Sequence, residues 1–187
     1  MIISMSDPRS VKRKDKKMDN SKKVSIIMGI YNCAPTLESA IESIMAQTYT
    51  NWEFIMCDDG SSDNTYEIAN SYVEKYPDKF ILVKNEKNMG LNYTLNRCLE
   101  LATGDYIARM DGDDLSLPER FEKEVDFLNN HPEYAIVSGF MIFFDDEGDW
   151  GISSNIEKPQ VIDFVKHSPF FNHAPCMIRK EAFLDVG

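Results

Sequence analysis

Residues 109–114 read Arg-Met-Asp-Gly-Asp-Asp, which sets three carboxylates, on Asp111, Asp113 and Asp114, within four positions of one another. Two carboxylates about 5 Å apart repel by roughly 3 kcal/mol at an effective dielectric of about 20, so the pattern calls for a positive partner. A hard divalent cation is the chemical match. Mg²⁺ takes one or two carboxylates and completes its shell with waters and substrate phosphates. A cation so held would also stabilise charge on a departing phosphate oxygen. The backbone phosphate cradles G-x-x-x-x-G-K-[ST] and G-x-G-x-x-G are absent. Any phosphate here would therefore rely on the metal, helped by Arg109 or Lys87. An EF-hand is excluded, because Leu115 stands at the fifth ligand position and Pro118 falls inside the loop. Taken alone, an Asp-x-Asp loop is weak evidence and reads more readily as a solvated turn.

Other polar groups recur along the chain, and each has a plainer reading beside the chemical one. Tyr31 and Asn32 follow an apolar run, and Tyr31 by itself reads as a core aromatic. "DDGSSD" (58–63) reads as a turn leading to a helix cap, with Asp63 or Asn64 as the cap. His173 by itself reads as a satisfied core histidine. "DDEGD" (145–149) reads as a solvated hairpin turn without chemistry.

The elements that would position these groups follow from hydrophobic periodicity. "VSIIMGI" (24–30), "WEFIMC" (52–57), "FILVK" (80–84) and "DYIARM" (105–110) read as buried strands. Helical spacing appears over 36–47, with Thr36 as N-cap, and over 65–76, ended by Pro77. It recurs over 91–102, stopped by "TG", and from Pro118, which suits a helix start, to Asn130. "YAIVSGFMIFF" (134–144) reads as a fifth strand with a sharply bent continuation. Alternating strands and helices imply right-handed βαβ units, hence an α/β, Rossmann-like fold with a mostly parallel sheet flanked by helices. Ligands of such open sheets bind beyond the carboxyl ends of the strands. Tyr31 and Asn32, Asp58 and Asp59, Asn85 and Asn88, and Asp111, Asp113 and Asp114 each follow a strand, so every polar cluster falls on one rim.

Composition narrows the partners. The chain has 187 residues, 43% hydrophobic and 27% charged, as a soluble globular protein would. Residues 1–23 hold eight Lys or Arg against three Asp, so with a net charge of −11 overall the remainder carries about −16. A domain that acidic is a poor nucleic-acid binder. The basic tail lacks apolar periodicity and is expected to be disordered. It reads either as a tether to anionic lipid, giving peripheral membrane association, or as a solvated leader, which its composition favours. No apolar stretch is long enough to span a bilayer, and no secretory signal is evident. Cys33, Cys57, Cys98 and Cys176 are widely spaced, which suits a reducing, cytoplasmic setting and excludes a zinc ribbon.

"VSIIMGIYN", "SIMAQTYTNWEFIMCDDGSSDNT" and "NEKNMGLNYTLNRCLELATGDYIARMDGDDLSLPER" together resemble the family 2 glycosyltransferases, from about Val24 to the last residue. The resemblance implies the glycosyltransferase A fold and a nucleoside diphosphate sugar donor, with UDP-sugar expected. It implies that Tyr31 stacks on the base and that Asp59 accepts from the base's ring N–H. Asp111 would lie on the ribose and sugar side, and Asp113 would bind Mn²⁺ or Mg²⁺ against the diphosphate, with Asp111 nearby and Asp114 orienting the loop. Arg109 would meet the sugar or phosphate. "FNHAPCMIRK" (171–180) resembles the acceptor-side segment, with His173 at a position where the family often has histidine. Two departures stand out. Gly29 replaces the more frequent Pro, Thr or Ser, which is expected to loosen a base contact. The acidic general base of the family is expected beyond Gly187, and Asp185, which precedes the glycine, is not assigned that role.

The resemblance implies inverting transfer of a sugar to a hydroxyl of a carbohydrate or lipid-linked acceptor in polysaccharide or glycolipid synthesis, at the inner face of the membrane. Residues 24–187 would form the nucleotide-sugar-binding domain, C-terminally incomplete and expected to be inactive alone. Two other classes remain open at this point. A nucleotidyltransferase would carry a Gly-rich, basic loop after the first strand, and "YNCAPT" is neither. A non-catalytic nucleotide-binding fragment is the other.

Overall fold

The computed structural model describes residues 2–3, 21–153 and 172–186. Four parallel strands form the centre: β2 (Val24–Ile30), β3 (Trp52–Asp58), β4 (Phe80–Lys84) and β5 (Tyr106–Arg109), after a two-residue β1 (Ile2–Ile3). Crossovers run through α1 (Ala34–Met45), α2 (Thr65–Lys75) and α3 (Leu91–Leu101). Beyond β5 come α4 (Arg120–Asn130), β6 (Ile136–Ser138), β7 (Phe140–Asp145), β8 (Gly148–Ile152), β9 (Cys176–Arg179) and α5 (Lys180–Val186). The main sheet has the order β4-β3-β2-β5-β9-β6. Its first three pairings are parallel, and β9 runs antiparallel between β5 and β6.

All seven residues of β3 are buried, because helices cover both faces of a parallel sheet. Strand alternation divides its side chains between two layers. Val24, Ile26, Met28, Trp52, Phe54 and Met56 pack with Leu37, Ile41 and Ile44 of α1 and with Phe121, Val125 and Leu128 of α4. Ile27, Ile55, Cys57 and Ile107 pack on the other side, with Cys98, Leu95 and Leu99 of α3 and Phe183 of α5.

The expected strands and helices are present, with ends shifted by a residue or two. Thr36 is not the cap of α1. The helix starts at Ala34 after Cys33, with a proline in its first turn. The Thr36 hydroxyl instead donates to the Cys33 and Gly112 carbonyls, 3.2 and 2.8 Å away. Gly139 divides the fifth apolar run. β6 joins the main sheet, whereas β7 pairs with β8 in a separate hairpin whose turn is the acidic 145–148 segment. Ile2 and Ile3, placed in the basic tail by the sequence, pair antiparallel with Met141 and Phe140. The charged part of that tail at 4–20 lies outside the described residues.

Candidate functional site

The parallel strands end together, so the segments after β2, β3, β4 and β5 share one rim. Strand alternation turns Asp58 toward the α2 side and Asp59 toward α3. Asp58 is fully buried. Its carboxylate accepts from the Ser61 N–H at 3.3 Å and lies 3.4 Å from the Lys84 ammonium. Asp59 accepts from the Asn85 side-chain amide at 2.6 Å and from the Met89 and Gly90 N–H groups at 2.8 and 2.9 Å. Burial pushes the Asp59 carboxyl up, but these donors outweigh it and hold the group below the usual carboxylate range. Asp59 thus pins the loop that opens α3 and keeps its charge. Three of the roughly four acceptor positions of a carboxylate are taken by these donors.

The loop after β2 is fastened to the loop after β3. Asn32 adopts φ +48°, a left-handed conformation that Asn tolerates better than most residues. Its side-chain oxygen accepts from the Ser62 N–H at 2.9 Å, and its own N–H donates to the Ser61 hydroxyl at 3.0 Å. Asp63 accepts from the Thr65 and Ala34 N–H groups at 3.1 and 3.2 Å, so it joins the starts of α1 and α2. Gly60 has φ +76°, and a Cβ there would fall 2.8 Å from the Lys87 backbone, so glycine alone lets the loops after β3 and β4 touch. Tyr31 is 48% exposed on this rim, which removes the core-aromatic reading. Gly29 does not leave a gap. A Cβ there would lie 3.1 Å from both Leu91 Cδ1 and Thr94 Cγ2, so α3 already fills the space and the expected loosening is not found.

The acidic loop is held from beneath. Arg109 donates to Asp111 at 2.8 Å and also contacts the His173 ring. His173 is exposed, so it is not a core histidine. Thr36 holds the Gly112 carbonyl, and the fully buried Arg120 donates to the Arg109 carbonyl at 3.0 Å while pairing with Glu124 at 3.1 Å. Gln47 ties the far side of the loop to α1, donating to the Ser116 hydroxyl and the Leu117 carbonyl and accepting from the Phe121 N–H. Burial raises the Asp111 carboxyl, Arg109 pulls it down, and Asp114 and Asp113 raise it again. The Asp114 carboxyl is likewise raised, chiefly by burial, with Asp113 adding to it. Asp113 itself is exposed. Among the described residues no three His, Cys, Asp or Glu converge on one metal position. The donor set fits a cation that takes one or two carboxylates and draws its other ligands from a bound diphosphate and water.

The structure therefore brings Tyr31, Asp59, Arg109, Asp111, Asp113, Asp114 and His173 to one side of the sheet. Sequence reasoning placed Asn85 on the rim without its bond to Asp59 and missed the other residues that position the site. Buried Asn85 and Thr94 and half-buried Arg97 form a relay behind Asp59, in which Asn85 donates to Asp59 and to Thr94 and accepts from Arg97. Gln47 and Arg120 are polar residues at helix ends, and nothing in their local pattern marks them as buried.

Comparison with known proteins identifies the family. The family model described as glycosyl transferase family 2 matches residues 25–187. This chain belongs to that family. EpsE of Bacillus subtilis (strain 168), named as a glycosyltransferase, is 48% identical over 168 residues, covering 89% of this chain and 59% of that protein. The amylovoran biosynthesis glycosyltransferase AmsE of Erwinia amylovora is 32% identical, covering 87% of this chain and 62% of its own length. WfaP of Escherichia coli, a UDP-Glc:alpha-D-GlcNAc-diphosphoundecaprenol beta-1,3-glucosyltransferase, is 33% identical and covers 75% of this chain and 53% of its own. The chain thus spans little more than half the length of these relatives. Among solved structures, the mannosyltransferase PcManGT of Pyrobaculum calidifontis, in complex with GDP-Man and Mn²⁺, superposes with TM-score 0.68 at 23% identity over 94% of this chain and 50% of that one. TarS of S. aureus in complex with UDP superposes with TM-score 0.66 at 19% identity over 88% of this chain and 48% of its own. The family 2 domain therefore has the glycosyltransferase A fold. Among the described residues, no helix is long and apolar enough to cross a membrane.

Proposed function

We propose that this chain is the donor-binding part of an inverting glycosyltransferase that takes its sugar from a nucleoside diphosphate, with uridine as the base. The observation that carries this is the juxtaposition on one rim of exposed Tyr31, the charged and buried Asp59 and the crowded carboxylates of 111–114. Tyr31 offers a ring face for the base. The remaining acceptor position of Asp59 suits the N3–H of uracil, where cytosine presents an acceptor instead. Asp113, with Asp111, would hold Mn²⁺ or Mg²⁺. The bound cation would supply positive charge to the leaving diphosphate. Arg109, between Asp111 and His173, orients the loop and presents its guanidinium to the sugar or phosphate. His173 stands on the acceptor side.

The acceptor hydroxyl must lose its proton as it attacks, and a positioned base contributes typically ~10²–10⁴-fold. We propose an acidic residue for that base and assign it to none of the residues named above. The acceptor is a carbohydrate or lipid-linked hydroxyl of a surface polysaccharide or glycolipid, which places the work at the inner face of the membrane. Calorimetry tests the reading. Uridine diphosphate should bind in the presence of Mn²⁺, weaken by at least tenfold when the metal is chelated, and exceed cytidine diphosphate in affinity. Metal-independent binding, or equal affinity for the two nucleotides, would overturn it.

A further inference from the structure

We infer that Arg97 of α3 is a positioning residue that sets the direction of hydrogen bonding at Asp59, and so makes the base site take a uracil edge rather than a cytosine edge. The inference rests on the uridine reading above and adds a residue that the reading does not include. The two ends of an asparagine amide have nearly the same shape, but one accepts and the other donates two hydrogens, so the neighbours decide which end points where. Asn85 is buried, and its backbone N–H donates to the Asp58 carbonyl at 2.8 Å. Arg97 donates to the Asn85 side-chain oxygen and, at 2.9 Å, to the Lys84 carbonyl at the end of β4. A guanidinium has donors and no acceptor, so only the oxygen end of Asn85 can face it. The Cys57 thiol donates to the same oxygen from 3.8 Å.

With its oxygen taken, Asn85 presents its nitrogen to Asp59 at 2.6 Å and to the Thr94 hydroxyl at 3.2 Å. Thr94 passes its own hydrogen to the Gly90 carbonyl at 3.0 Å, and the Gly90 N–H returns to Asp59 at 2.9 Å. The bonds run one way, from Arg97 through Asn85 to the carboxylate. Asn85, Met89 and Gly90 all donate to Asp59. Donors of this kind favour the ionised form, which has only acceptor capacity to offer a ligand. A base must then bring an N–H, as uracil does at N3, where cytosine presents an acceptor. An acceptor at position 97 would reverse the chain. The amide nitrogen would turn toward it, and the amide oxygen would oppose Asp59. That arrangement favours a protonated carboxyl, which can donate to cytosine.

Calorimetry with uridine and cytidine diphosphates in Mn²⁺ tests this on the unaltered chain, Arg97→Lys, Arg97→Met and Arg97→Glu, with thermal unfolding to establish that each is folded. The unaltered chain should prefer the uridine nucleotide. Arg97→Lys keeps a donor-only group and should hold most of that preference. Arg97→Met, which removes the donor without adding a charge, should lower it about tenfold. Arg97→Glu, which only accepts, should lower it further, to equality or to a cytidine preference. A merely structural role would weaken both nucleotides together and leave their ratio unchanged. If the unaltered chain selects uridine while Arg97→Met and Arg97→Glu keep its ratio, the inference is wrong and the uridine reading stands. The same holds if Arg97→Lys loses the preference as fully as the other two. If the unaltered chain shows no preference for uridine, the inference and the uridine reading fall together.

Discussion

Glu53, at the amino end of the parallel sheet, and the acidic loop of Asp111 and Asp114, at its carboxyl end, hold their carboxylates in opposite ways. At the amino end, Glu53 is buried and fully matched. It accepts from the Ser25 hydroxyl at 2.6 Å, the Thr103 N–H at 2.7 Å and the Lys23 ammonium at 2.5 Å. Burial pushes its carboxyl up, but Lys23, Ser25 and Thr103 together bring it below the usual range. At the carboxyl end, Asp111 and Asp114 are raised by burial and by their neighbours. Of the buried side-chain atoms with no hydrogen-bond partner among the described residues, Asp58 Oδ2 lies 3.4 Å from the Lys84 ammonium and Glu124 belongs to a carboxylate paired with Arg120, which leaves Arg109 Nε, beside the acidic loop. Glu53, whose partners all come from within the chain, contributes to stability. Unmatched groups are destabilising alone and become favourable when a ligand supplies the partner. The contrast locates binding at one end of the sheet and structural support at the other.

The strongest way to break this comparison is at Asp113. Asp113→Ala should lower Mn²⁺-dependent affinity for uridine diphosphate by about 100-fold or more, through loss of a cation ligand, while the unfolding midpoint stays the same or rises as carboxylate repulsion falls. Calorimetry and thermal unfolding measure the two sides, and unchanged metal-dependent affinity would remove Asp113 from the site.

Glu53→Gln should do the reverse, costing about 2 kcal/mol in urea unfolding with nucleotide affinity unchanged. Its sign with pH is fixed. The folded carboxyl titrates below its ordinary value of 4.5, so Glu53 stabilises above that pH and the contribution disappears as pH falls through the folded value. The variant should therefore differ most from the parent at neutral pH and converge with it in acid.

The smallest effect is expected at Glu124, where burial pushes the carboxyl up to about 7 against the pull of Arg120. Here the folded state binds the extra proton, so stability falls as pH rises from about 4.5 to about 7. Glu124→Gln keeps an acceptor for Arg120 and removes that titration. It should flatten the stability slope between pH 5 and 7, by on the order of 1 kcal/mol. A slope identical to that of the parent would show that Arg120 keeps Glu124 ionised throughout.

Much of this architecture is written locally. The runs at 24–30 and 80–84 become strands within the expected bounds, because an unbroken apolar run needs cover on both faces. α2, α3 and α4 form where apolar residues recur at helical spacing. The acidic hairpin turn at 145–148 is likewise a matter of neighbouring residues. What could not be read is long-range. "CMIR" shows no sign that it will run antiparallel to β5 and carry His173 to Arg109, 64 positions away. Thr36 has the chemistry of a cap, yet it serves the acidic loop because α1 begins earlier.

The sequence alone determined the order of the four parallel strands and the first four helices, and the family, along with the fact that each polar cluster follows a strand. Those properties depend on residue type and on spacing between neighbours. The tertiary structure decided which polar group is spent inside the chain and which faces outward. Asp58 and Asp59 are adjacent and chemically identical, but strand alternation sends one toward Lys84 and the other onto the Met89 and Gly90 N–H groups. Gly29 reads as a missing side chain until α3 is seen to fill its place. A carboxylate's charge and a glycine's space acquire meaning only from the atoms that folding brings beside them, and those atoms come from distant parts of the chain.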